Sequence, residues 1–204
     1  MPDYSWPAAP ENVTAAVTGA SGALFARELL RALERDSRVK TVNLIVSDNA
    51  LRVIAEELGI KGRSKLLQRL LAGKPGKIKQ QNNDDIGANV ASGSYPADAM
   101  IVIPCSMGTL ARIANGTSNK LIERAADVCL KERRALVLCV RETPLNKIHI
   151  RNMSLAADAG ATIFPLIPAY YTKPESLEAM AREFASRVLA LIGLPQPGAF
   201  RWMG

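Results

Sequence analysis

Histidine is almost absent from this chain of 204 residues, with His149 standing alone. One imidazole excludes a histidine-based metal cluster and argues against a serine-histidine triad. Cysteine is scarce as well. Cys105, Cys129 and Cys139 are odd in number and form no CxxC pair. That speaks against a disulfide framework or a zinc site and for a reducing compartment. A cytoplasmic protein without a metal is expected. Aromatic residues make up only 5%, so the core must be aliphatic. No apolar run approaches the ~20 residues of a membrane span, and no membrane association is expected. The opening MPDYSWPAAPEN has three prolines and no lysine or arginine, so it does not read as a secretory signal. Residues 1–12 are expected to form a flexible arm, and residues 13–204 a single domain.

Acid is missing from one stretch. Lys61, Arg63, Lys65, Arg69, Lys74, Lys77 and Lys79 follow one another without an aspartate or glutamate between them. Their seven charges equal the net charge of +7, so the remainder is close to balanced. No aromatic side chain is interleaved for base stacking. The stretch is expected to be a solvated face, available to an acidic partner and not to nucleic acid.

What is present is an alternation of strand and helix patterns. Strands are expected at Val13–Thr18, Thr41–Val46, Ala99–Ile103, Ala135–Val140 and Ala161–Phe164. Helices are expected at Gly22–Arg35, Asn49–Leu58, Ser64–Ala72, from Ser106, at Ser118–Arg133 and at Leu145–Ala159. A last helix, opened by Pro174, should run to Ile192 with Leu177, Met180, Phe184, Val188 and Leu191 toward the core. Gly73–Asn89 is dense in Gly, Pro, Asn and Asp and reads as loop. Such alternation implies βαβ units, a parallel sheet and an α/β fold of Rossmann-like or flavodoxin-like type.

In open α/β sheets the ligand crevice lies at the carboxyl ends of the strands. Three segments fall there. Thr18–Ala23, TGASGA, joins the first strand to its helix, and Gly19 and Gly22 allow tight turning and close approach of a ligand to the backbone. The helix that follows offers free N–H groups to an anion. The loop also opens dehydrogenases, with Asp48 as a ribose-binding acid, but Ala23 and Phe25 replace the later glycines of that pattern. Pro104–Leu110, PCSMGTL, follows the third expected strand; Ser106 and Thr109 can cap a helix or donate hydroxyls to a phosphate. Lys131–Asn146, KERRALVLCVRETPLN, ends a buried strand in Arg141 and Glu142. Ser47 ends the second strand and caps the next helix. Glu57, near that helix's C-terminus, gains nothing from the local dipole. Cys105 reads as a buried structural thiol, His149 as packing or surface, and Tyr170 as packing.

Together these segments, with ASGS (Ala91–Ser94), ERAADVCLKERR (Glu123–Arg134) and FRWMG (Phe200–Gly204), resemble the UbiX-type flavin prenyltransferase family. The resemblance runs from about Val13 to the C-terminus. It implies an enzyme that moves a dimethylallyl group from dimethylallyl phosphate onto N5 and C6 of reduced FMN. The product, prenylated FMN, would serve a UbiD-type decarboxylase. It implies FMN contacts at Gly19, Ala20, Ser21, Ser47, Ser106, Met107, Gly108, Thr109 and Arg141. Glu142, Glu57, Lys131 and Ser21 would be catalytic. Arg124, Lys131, Arg141 and Arg187 would converge on cofactor and substrate phosphate, with Tyr171 and Trp202 as further substrate contacts. A homo-oligomer, in this family commonly a dodecamer, is implied. The alternative is a flavin-dependent cysteine decarboxylase of the same superfamily, whose PASANT-like segment and early histidine this chain lacks.

Overall fold

The computed structural model describes residues 6–200. Among them, six strands pair in parallel: β1 (Asn12–Val17), β2 (Thr41–Val46), β3 (Ile78–Gln81), β4 (Ala99–Cys105), β5 (Ala135–Val140) and β6 (Thr162–Ile163). Their order across the sheet is β3-β2-β1-β4-β5-β6. β1 and β4 are neighbours, so the chain reverses its direction of winding between them. That is the switch point at which doubly wound sheets leave a crevice.

The strands are continuous apolar runs because both faces are covered. Alternate residues feed two cores. Val13, Ala15 and Val17 of β1 pack on one face with helices α1 (Ala23–Arg35), α2 (Asp48–Leu58), α3 (Leu66–Leu71) and α7 (Leu177–Leu191). Ala16, with Met100 and Val102 of β4, packs on the other face with α4 (Met107–Ala114), α5 (Leu121–Lys131) and α6 (Lys147–Asp158). Leu29, Leu30 and Leu33 of α1 are essentially inaccessible, and burying each is worth ~1.5–3 kcal/mol.

Several elements depart from the sequence reading. Residues 73–89 contain β3, a short edge strand pairing Ile78–Gln81 with Val42–Ile45. Only Ile78 of its four residues is buried, so no alternation announces it. Pro104 does not end β4. The ladder to β5 shifts register between Val102 and Cys105, and a proline is tolerated at such an irregularity because no ladder N–H is required there. The last helix is capped by Ser176, whose hydroxyl accepts from the Ala179 N–H, and not opened by Pro174. Its buried face is Ala181, Phe184, Ala185, Val188 and Leu189, whereas Leu177 and Leu191 are exposed. Tyr170 is exposed rather than packed. The described part of the N-terminal arm ends at Asp98, whose carboxylate accepts from the Glu11 and Asn12 N–H groups at 2.9 and 2.8 Å.

The basic segment is only partly free. Lys77 Nζ donates to the Leu33 and Asp36 carbonyls at the end of α1. Arg63 pairs with Asp48 at 2.6 Å. Lys61, Lys65, Lys74 and Lys79 are exposed.

Candidate active site

Two loops meet where β1 and β4 end, and Thr18 locks them together. Its buried hydroxyl donates to the Pro104 carbonyl and accepts from the Ser106 N–H, both at 2.8 Å. Beside it, Gly19 lies so close to α2 that a Cβ would stand 2.5 Å from that of Asn49. Gly22 takes φ of 122°, a backbone conformation that side chains disfavour. These positions explain the glycine spacing of TGASGA: the loop is pressed between α2 on one side and Leu166 and Pro104 on the other.

Two helix N-termini point into the same crevice. Ser47 caps α2 by accepting from the Ala50 N–H at 3.2 Å. Ser106 caps α4 by accepting from the Thr109 N–H at 3.3 Å, and its hydroxyl reaches the Thr109 hydroxyl at 3.2 Å. Between them lies a polar cleft of about 250 Å³, walled also by Gly19, Asn49, Arg112 and Glu123. Positive dipole ends and hydroxyl donors suit a phosphorylated polyol. Asp48 lines this cleft too, with its carboxylate tied to Arg63.

A second cleft, about 350 Å³, adjoins the first, because Ser106 lines one and Met107 the other. Its walls include Val140, Arg141, Glu142, Met153, Leu166 and Ile167. Arg141 is held by its N–H on the Cys105 carbonyl at 3.1 Å, and Glu142 Oε1 accepts from the Thr143 N–H at 3.0 Å. A cation and a carboxylate thus border a mostly apolar space, which suits a ligand with an apolar body and a charged end. Leu166 also packs within 3.1 Å of the Cβ position of Gly22, so this cleft touches the TGASGA loop. Ala20 is buried in that loop, while Ser21 and, on α4, Gly108 are exposed.

Glu57, with nothing to gain from its own helix, finds its partners on another. Its carboxylate caps the neighbouring helix α1, accepting from Gly22 N–H at 3.1 Å and Ala23 N–H at 2.8 Å. The α1 N-terminus is therefore already served by an acid of the chain rather than open to an external anion.

The structure places the expected cations apart within one chain: Arg141 and Arg187 line different clefts, and Lys131 lies before the start of β5. Tyr171 and Arg187 do meet, hydroxyl to guanidinium at 3.1 Å, in a separate cleft of about 350 Å³ with Phe164 and Phe200. Arg124 and Lys131 lie on the same face of α5, about two turns apart. Arg124 donates to the Ala91 carbonyl and pairs with Asp127. Lys131 pairs with Glu132. Lys131 ends α5 just before β5 starts, whereas Arg141 and Glu142 follow the end of β5. Six strand residues, ~20 Å, separate Lys131 from Glu142. Trp202 lies outside the described residues.

The remaining candidates settle simply. Burial pushes the Cys105 and Cys129 thiols up to about 12 and Cys139 upward as well. All three are free and buried, so none is a thiolate nucleophile at neutral pH. His149 forms a capping box at the start of α6, its ring facing the Asn146 N–H while its own N–H donates to the Asn146 side chain. Among the described residues no group of acids, cysteines and histidine is placed to hold a metal. No helix there is long and apolar enough to cross a membrane. Sequence reasoning missed Thr18, Arg112 and Leu166 as shaping residues. Glu123 opened a quoted motif but carried no role.

A family model described as Flavoprotein matches residues 4–185. The flavin prenyltransferase UbiX of Pseudomonas aeruginosa is 40% identical over 199 residues, covering 95% of this chain and 94% of its own. A crystal structure of AnUbiX in complex with FMN and dimethylallyl pyrophosphate superposes with a TM-score of 0.85 at 42% identity, over 95% of this chain and 98% of that one. A dodecameric FMN-dependent UbiX-like decarboxylase from Escherichia coli O157:H7 gives 0.84 at 39% identity, over 95% and 100%. With near-complete coverage at this identity, and with glycine loop, paired helix N-termini and Arg-Glu strand end meeting at one switch point, the chain belongs to the flavoprotein family and, within it, to the UbiX flavin prenyltransferases.

Proposed function

We propose that this enzyme transfers a dimethylallyl group from dimethylallyl phosphate to N5 and C6 of reduced FMN and releases prenylated FMN to a UbiD-type decarboxylase. The observation that carries the reading is the junction of the polar cleft at Ser47 and Ser106 with the apolar cleft at Arg141 and Glu142. Reduced FMN is here the acceptor substrate and supplies the two nucleophilic atoms. Ser47, Ser106, Thr109 and the α2 and α4 N-termini bind its phosphorylated side chain. Gly19, Ala20, Ser21, Met107, Gly108 and Arg141 bound the space for its ring system.

The chemistry asks three things of the protein. As the bond to N5 forms, the carbon–oxygen bond to phosphate breaks, and cations must stabilise the leaving anion. Arg141 supplies one; Arg124, Lys131 and Arg187 supply the rest, and the Tyr171 hydroxyl adds a hydrogen-bond donor. Ring closure then adds a proton to the alkene and removes one from C6. Glu142 handles the proton, placed beside Arg141 at the strand end. Glu57, fixed on the TGASGA loop, holds the loop against the site.

Lys131, beyond the start of β5 and ~20 Å from its end, cannot reach Glu142 of its own chain, so it acts, with Arg124 of the same helix, in the site of a neighbouring copy. A homo-oligomer, and by analogy with its dodecameric relative a dodecamer, brings them there. Ile148, Ile167 and Leu177, all exposed in the single chain, give that assembly apolar surface. The cysteine decarboxylase alternative gains no support, since no histidine precedes His149. The buried free thiols fit a reducing, cytoplasmic setting.

The test is to incubate the protein with reduced FMN and dimethylallyl phosphate, without metal, and to extract the flavin. A mass increase with a changed absorbance spectrum is expected. Unaltered flavin with both the monophosphate and the diphosphate overturns the reading. The basic segment gives a companion expectation. Reversing Lys65, Lys74 and Lys79 to glutamate leaves turnover within about twofold, because exposed charges far from a site are screened beyond ~8 Å. A tenfold loss in steady-state assays would place this face in the machinery. Lys77 is omitted because it supports the end of α1.

A further inference from the structure

Glu123 stands in the first turn of α5 and is only 3% exposed. Its Oε1 accepts from Arg112 Nε at 2.7 Å. Its Oε2 is buried and has no hydrogen-bond partner. The α5 dipole and the Arg112 pair account for the carboxylate's presence and for one oxygen. Neither accounts for the other. Buried polar atoms are nearly always paired, so one left over calls for a missing partner.

That oxygen belongs to a residue lining the polar cleft with Ser47, Ser106 and Thr109. Lys120, about half exposed and paired with the exposed Asp84, flanks it with a long side chain that can swing aside, while Arg112 stays on Oε1. A carboxylate oxygen accepts and does not donate. It therefore repels phosphate and suits a hydroxyl. The two helix N-termini across the cleft have the opposite preference, favouring the anion. One wall of the cleft selects phosphate and another selects alcohol, which is the sequence of groups along the flavin side chain.

We propose that Glu123 recognises a hydroxyl of the flavin's polyol chain through Oε2 and so selects flavins with a hydroxylated side chain. The proposal rests on the flavin reading above. It concerns recognition and involves no covalent step.

The experiment measures dissociation constants by quenching of flavin fluorescence. FMN is compared with an analogue in which a plain pentyl chain carries the terminal phosphate, so that ring and phosphate are kept and the hydroxyls are lost. Glu123→Met removes the acceptor and fills its volume. A hydrogen bond to a charged acceptor predicts a loss of about 10- to 100-fold for FMN. For the pentyl analogue, the variant and the parent protein should bind within about twofold. Equal losses for both flavins would show that Glu123 acts only through the fold, or on bound water, and overturn the proposal; so would no loss for either. If Glu123→Met does not fold by circular dichroism, Glu123→Gln keeps the shape and weakens the acceptor. FMN binding should then fall several-fold while the analogue is unaffected, and parallel changes overturn the idea. Failure of the unaltered protein to bind either flavin would instead sink the flavin reading itself.

Discussion

Glu142→Gln is expected to retain bound flavin and to lose about 100- to 10,000-fold in formation of the closed-ring product. Positioned acid–base groups contribute that range, equivalent to about 3–6 kcal/mol at roughly 1.4 kcal/mol per decade. The substitution preserves size and keeps an oxygen for the Thr143 N–H that Glu142 now holds at 3.0 Å. It removes the ability to take and return a proton. The first bond of the transfer needs leaving-group stabilisation, which Arg141 still gives. Ring closure needs the proton moved. Extracted flavin should therefore show the added prenyl mass without the absorbance of the fourth ring. Wild-type yield of the closed product, by mass and spectrum together, would remove Glu142 from the mechanism and leave the departing phosphate as the base.

The second large effect concerns sharing of the site. Lys131→Ala and Glu142→Gln should each fall below about 1% of wild-type turnover, since one removes a phosphate ligand and the other the proton carrier. Lys131 stands at the opening edge of β5 and Glu142 at its closing edge. If a site draws them from different copies, oligomers assembled from an equal mixture of the two variants contain intact sites. Half the subunits offer Lys131 and half offer Glu142, so random assembly restores roughly a quarter of wild-type activity. Co-refolding the variants and measuring flavin conversion tests this. A mixture no more active than its components would mean that one chain supplies both residues. Light scattering on the same samples reports whether the assembly has formed.

These expectations rest unevenly on sequence and on structure. The amino-acid sequence by itself determined the fold class and the location of the crevice. Thr41–Val46 and Ala135–Val140 are strands at the residues read for them, and β1 differs by one. Each is a continuous apolar run bounded by polar residues, and such a run can only be buried on both faces. Alternation with helices then forces a parallel sheet, and a parallel sheet puts its crevice at the strands' carboxyl ends. Ser47 and Ser106 were legible as caps because capping is a local interaction over three residues. The ordered motifs likewise carried the family.

Other features depended on contacts between distant segments, which no window of sequence contains. β3 has one buried residue of four; it is a strand because β2 presents an open edge to it. β4 runs through Pro104 because that residue sits where the ladder slips. Glu57 looked idle on its own helix and turned out to cap another, 34 residues away along the chain. The cations that resemblance gathers around one phosphate lie at both ends of the strands in a single chain, because α5 carries Lys131 back to the end where β5 begins. Glu123, read only as part of a motif, acquired meaning when burial left Oε2 without a partner. Local propensity and periodicity fix which elements form and where their ends point. Only tertiary packing decides which side chains meet across those ends, and which must find their partners outside the chain.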